Sequence, residues 1–193
     1  MIGGMRIDWA RIHLTTKKLG EYPAVKRCMN AINDGNPTIN ARFGSFHISK
    51  QAQIDPLEWE EPAAPQPINL DETGFFFKIW KNATVQKQLK AYPFDVPVQQ
   101  SKWMAHNTLT LTELITYNGL LAGKGEPHYT PMDAYQIAFA AVCELLAHPQ
   151  GWTRQQVYAS DDSFLDCHES RIHYTIVVYD YDASLVHILT LFD

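Results

Sequence analysis

Near the end of the chain the run Asp166-Cys167-His168-Glu169-Ser170 puts five residue types that enzymes use for nucleophilic, acid–base or metal chemistry side by side. Adjacency works against that chemistry. Neighbouring side chains in an extended segment point to opposite faces, whereas a thiolate–imidazole pair needs hydrogen-bond reach, roughly 3 Å. The other two cysteines are no better placed. Cys28 sits in an apolar helical stripe with Val25, Met29 and Ile32, and Cys143 falls late in a helix. Reactive thiolates favour helix N-termini. The run is therefore expected to be a polar turn leading into a core strand, with Cys167 partly buried.

Metal chemistry is also unsupported by spacing. His173 and His187 fall on two consecutive strands, His187 about four residues closer to the turn, which leaves them roughly 13 Å apart. His106, His128 and His148 are scattered over loops and helix ends, and no HxxxH, HxH or CxxC pattern appears. The acids Asp161, Asp162, Asp166 and Glu169 lack the alternating ligands and central glycine of a calcium loop. The stretch "AGKGEP" lacks the glycine spacing and the hydroxyl residue of a phosphate-binding loop. No cofactor is expected.

Charge is more informative. The chain has 193 residues and a net charge of −5, and residues 129–193 hold 2 Lys/Arg against 9 Asp/Glu. With no concentrated basic patch, nucleic-acid binding is not expected. The longest apolar run, "YQIAFAAVCELLA", is too short to span a bilayer. Three widely spaced cysteines suit a reducing compartment, and "MIGGMRIDWAR" shows no secretory apolar region, so a soluble cytoplasmic protein is expected. Acids and tyrosines concentrate at Asp161, Asp162 and Asp166 and in the turn Tyr179-Asp180-Tyr181-Asp182. Tyrosine flanked by carboxylates suits a basic protein partner. The leading expectation is a non-catalytic interaction or accessory protein using this C-terminal surface. The alternative is a hydrolase-type enzyme assembled from dispersed residues such as His106, His128 and His168 with nearby acids. A homo-oligomer is also compatible with the sequence.

The elements that must position these residues follow from periodicity and caps. Asp8–Leu19 fits a helix or a strand. Pro23 opens a helix that stops at Gly35. Residues 39–48 read as a strand whose apolar phase slips at Gly44–Ser45, which predicts a β-bulge there and sends His47 toward solvent. Residues 51–74 hold Pro56, Pro62, Pro65 and Pro67 among acids and read as a long loop. "FFFKIW" (75–80) reads as a strand, and Asn82 as the cap of a helix carrying Val85 and Leu89. Thr110 with Glu113 predicts a capping box, as does Thr130 with Asp133. In the second of these helices Met132, Tyr135, Phe139, Val142 and Leu146 form one stripe, but Ile137, Ala138, Ala141 and Leu145 are apolar too. A helix apolar all round is a buried one. Thr153 with Gln156 predicts a short helix, and 171–179 and 185–192 a hairpin. The whole reads as one α+β domain over 1–193, with a mixed or largely antiparallel sheet and a C-terminal β-hairpin packed against a buried central helix.

Overall fold

The computed structural model describes residues 14–35, 38–48, 79, 82–89, 103–122, 128–146, 155–161, 173–180 and 183–193. The predicted loop at 51–74 lies outside them. Six strands form one antiparallel sheet: β1 (Leu14–Lys17), β2 (Asn40–Ile48), β3 (Met104–Ala105), β4 (Gln155–Ser160), β5 (His173–Asp180) and β6 (Leu185–Phe192). Their spatial order is β1-β2-β6-β5-β4-β3. Four α-helices have described bounds: α1 (Pro23–Gly35), α2 (Ala83–Leu89), α3 (Thr108–Ile115) and α4 (Pro131–Leu146). A π-helical turn, Thr116–Leu120, prolongs α3, and a 3₁₀ turn, Leu19–Glu21, leads into α1. The α+β class and the C-terminal hairpin are as the sequence predicts.

The two faces of the sheet carry different partners. Strand alternation sends Ala41 and Phe43 of β2, Leu189 and Leu191 of β6, Ile176 and Val178 of β5, and Val157 and Ala159 of β4 to one face. These residues share a core with Val25, Cys28, Met29 and Ile32 of α1, Leu111 and Ile115 of α3, and Ala134, Ala138, Ala141, Val142 and Leu145 of α4. Helix α4 packs against both α1 and α3, so it is the middle helix of that layer. The opposite face buries Phe46, Val177, Val186 and Ile188. There α2 packs on β2 with Val85 and Leu89 fully buried, and Arg42 Nη1 donates to the Leu89 carbonyl at 3.0 Å. Each fully buried large apolar side chain contributes roughly 1.5–3 kcal/mol, and β6 carries them on both faces.

Local signals explain most boundaries. Asn82 Oδ1 accepts the Thr84 amide at 2.9 Å and opens α2. Thr130 Oγ1 accepts the Asp133 amide at 3.2 Å and opens α4. Asn33 ties α1 to the start of β2, accepting the Ala41 amide at 2.7 Å.

Four expectations are corrected. Strand β2 has no bulge: its pairing with β6 runs unbroken from Asn40 to His47, because both faces are covered and the apolar phase need not be restored to one of them. Ile79 is helical, not extended, and the Asn82 amide bonds its carbonyl at 3.2 Å; the rest of 75–80 lies outside the described residues. Helix α3 is capped by Asn107, with Thr110 at the third position returning a bond to the Asn107 amide, rather than by Thr110 itself. Residues 155–160 are strand, not helix; pairing with β5 along Gln155–Ser160 overrides a local capping signal.

Gly44 leaves room for the Phe46 ring of its own strand beneath α2. A Cβ there would meet the Phe46 ring at 2.6 and 2.8 Å and Gln88 at 3.2 Å, with Phe46 fully buried, whereas nothing lies within 4 Å of a Cβ at Gly20. Gly44→Ala is expected to cost about 1–3 kcal/mol as an overpacked core, and Gly20→Ala to cost nothing measurable by the same denaturant titration. Equal stability of the two variants would show that Phe46 is free to move.

Candidate functional site

The acidic C-terminal surface is reorganised by the fold. Asp161 is exposed at the end of β4. Tyr179 and Asp180, expected on the surface, are interior residues, and the Asp180 side chain is only 3% exposed. Asp180 Oδ1 accepts the Ala183 amide at 2.8 Å, and Oδ2 accepts from Gln155 Nε2 at 3.0 Å. The Ala183 bond closes the β5–β6 turn and the Gln155 bond ties it to β4, and together they offset the cost of burying the carboxylate. The remaining predicted residues, Asp162, Asp166, Tyr181 and Asp182, lie outside the described residues, as do Cys167 and His168.

Of the dispersed histidines, those described lie in separate parts of the fold, and His148 and His168 fall outside the described residues. His106 Nδ1 lies 3.2 Å from Thr110 Oγ1 at the start of α3, and burial pushes its pKa down. His128 is exposed near Gly35, at the far end of α1. His173 pairs with Phe192 and His187 with Val178, five positions along the hairpin and on opposite faces. Among the described residues, no group of three or more His, Cys, Asp or Glu could hold a metal ion.

One polar constellation does have the form of a catalytic pair. Ser45 and His187 face each other across β2 and β6, with Ser45 Oγ 3.0 Å from His187 Nδ1. Tyr22 Oη, just before α1, lies 2.9 Å from Ser45 Oγ. A chain of donors can run from Tyr22 through Ser45 to a neutral imidazole. Yet Ser45 is 1% exposed and His187 4%. The imidazole stacks with Phe43 at 6.1 Å and meets Tyr22 edge-on at 5.2 Å. Burial pushes the His187 pKa down to about 4 against the opposing pull of Asp180. Burial likewise raises that of the Tyr22 phenol; the Ser45 bond lowers it, and Glu21 and Glu144 add to the rise. A serine that solvent does not reach cannot meet a substrate without opening the core, so this cluster reads as a sealed polar seam.

The opposite face carries a second polar row: Arg42, Thr190, Thr175 and Ser160 are register partners across four strands. Thr175 and Thr190 are fully buried, and the Thr190 hydroxyl has no hydrogen-bond partner. Arg42 is held over the Phe192 ring at 4.6 Å.

Among the described residues, five large hydrophobic side chains are exposed: Met104 on β3 and four on helices. Met132 is 65% and Phe139 44% exposed on α4, while Leu109 is 55% and Tyr117 61% exposed on α3 and its π-helical turn. Tyr135 stacks on Phe139 with ring centroids 6.2 Å apart. Of the stripe expected to be buried, Met132 and Phe139 face outward, Tyr135 and Leu146 are half-buried and Val142 is in the core, and the inward side also carries Ala134, Ala138 and Ala141. Small residues line the close-packed side of α4, but exposed Ala140 shows that size alone does not mark that side. Leu109, Glu113 and Tyr117 recur four apart, so a stripe that carries a charge must face water.

No protein-family model matches the chain, and comparison with curated proteins finds no significant match. Any functional assignment therefore rests on the chain's own surfaces.

The sealed seam predicts a pH signature. His187 titrates near 6.5 when unfolded and near 4 when folded. Its contribution is fully present above pH 6.5. Below that the unfolded chain takes up a proton that the folded site refuses, and stability falls until pH 4, by at most about 3 kcal/mol. Denaturant unfolding from pH 8 to 4 should show wild type losing more stability than His187→Gln across this window; parallel curves would mean that the imidazole is not held neutral. Thr190→Val, which removes an unpartnered hydroxyl, is expected to be neutral or stabilising by up to about 1 kcal/mol. A clear loss would reveal a bond made by that hydroxyl.

Proposed function

We propose that this chain is a non-catalytic protein-interaction protein that docks a partner on the outer face of α3 and α4. The observation that carries this is the exposure of four large apolar side chains, Leu109, Tyr117, Met132 and Phe139, on two helices packed side by side. Concentrated apolar exposure of this kind is a mark of interaction surfaces. The reading moves the site from the acidic turn, whose Tyr179 and Asp180 are engaged in the interior. Exposed Asp161 still belongs to the acidic character of the C-terminal third. Burial of Ser45 and His187 counts against catalysis by that pair, while the hydrolase alternative built on His106, His128 and His168 includes a residue outside the described ones. No described helix is long and apolar enough to cross a membrane, and Cys28 and Cys143 are both free thiols, which supports a reducing, cytoplasmic setting.

Covering four such side chains, each already about half buried, would yield roughly 3–7 kcal/mol at about 1.5–3 for each full burial. Association itself costs about 4–15 kcal/mol. The two nearly cancel, so the apolar face supports a moderate, reversible complex whose selectivity must come from additional polar groups.

A photo-crosslinking residue placed at Tyr117 or Phe139 in the native host should give a discrete protein adduct. The same probe at Lys87, exposed on α2 across the sheet, should give none. Adding Met132→Ser and Phe139→Ser should remove the Tyr117 adduct while cooperative unfolding is kept. No adduct from either helical position, or equal yield from Lys87, sinks the reading.

A further inference from the structure

The charge of the α3–α4 face points to the chemistry of its occupant. We propose that this face receives a basic amphipathic helix of another protein, an inference that rests on the interaction reading above. Described residues 103–122 and 128–146 contain no Lys or Arg. Glu113 stands between Leu109 and Tyr117 on α3, and Asp133 follows Met132 on α4; both are exposed. On α3 a carboxylate thus stands one turn from each apolar contact and on α4 one stands at the Met132 end, and the described residues of the two helices offer no cation to neutralise them. Exposed cations on the neighbouring helix, Lys26 and Arg27, belong to the first turns of α1. That end meets the end of α4, where Glu144 Oε2 accepts the Val25 amide at 2.8 Å. From Met132 to Glu144 is 12 residues, about 18 Å of helix, so these cations are distant from the Met132–Asp133 end.

The same charges select against other occupants. A second copy would bring another Glu113 and Asp133 to the interface and another net charge of −5. Anionic membranes and nucleic acids share that sign. Helix α4 has 16 residues, about 24 Å, which a partner helix of similar length would cover. Apolar side chains at helical spacing would meet Leu109, Tyr117, Met132 and Phe139, and flanking Lys or Arg would meet the two carboxylates.

Cys143 provides the readout: it is exposed one turn beyond Phe139, whereas Cys28 is buried with its thiol pKa pushed up to about 12. In full-length Cys167→Ser protein, alkylation of Cys143 is followed with a synthetic 18-residue helical peptide bearing Leu and Phe on one face and Lys on the other. The comparators are the same peptide with Glu for Lys, phosphatidylglycerol vesicles, and the protein alone at rising concentration. The Lys peptide should slow alkylation saturably, ~10-fold at low salt and less as ionic strength rises; the comparators should not. Glu113→Gln with Asp133→Asn, which preserves the size of the α4 cap, should weaken that protection by about 5-fold or more. Met132→Ser with Phe139→Ser should abolish it. Equal protection by the Glu peptide, by vesicles or by self-association overturns the basic-helix assignment, as does protection indifferent to the two charge changes. Failure of the Lys peptide beside a discrete crosslinked adduct at Tyr117 overturns the partner chemistry and leaves the interaction reading standing; absence of any adduct removes both.

Discussion

Strand β6 is hydrogen-bonded along both edges, to β2 and to β5, and buried on both faces. The rest of the fold follows from that demand. A strand whose side chains are apolar in both phases must be covered above and below, so α1, α3 and α4 pack on one side and α2 packs against the other face at β2. Ile188 and Leu189 are neighbours in this strand that serve opposite cores, and both are shielded from solvent. Losing either cover would expose a strand that already has partners on both edges, which makes the two layers mutually dependent.

Close helix packing then decides what is left outside. Helix α4 presents Ala134, Ala138 and Ala141 inward, and Gly119 of the π-helical turn brings its backbone against Ile32 of α1 and Leu191 of β6. Small residues let the layers approach. The larger side chains of α4, Met132 and Phe139, are displaced to the outer surface as a geometric consequence. The exposed face and the tight inner seam are therefore two sides of one helix and share an origin.

Polar groups inside the fold follow the complementary rule that burial requires partners. Asp180 has Gln155 and the Ala183 amide; Ser45 has Tyr22 and His187; Thr116 has the Thr112 carbonyl at 2.7 Å. Residue types that look reactive in a sequence are used here to seal a turn and join strands. Proximity of serine and histidine is common to a hydrolase and to a satisfied cross-strand pair, and solvent access separates them.

By itself the sequence determined the elements whose causes are local. Pro23 opens α1, Asn82 caps α2, Thr130 and Asp133 cap α4, and two alternating runs make the β5–β6 hairpin. Strand β4 was not legible, since its conformation comes from pairing with β5 rather than from its own residues. The unbroken register of β2 was hidden for a similar reason: Phe43 and Phe46 serve different faces, which looks like a slip until both covers are known. Only the tertiary structure decided that Asp180 turns inward and that Phe139 turns outward. Both depend on which side of an element its neighbours occupy, a property of three-dimensional packing that residue order does not contain.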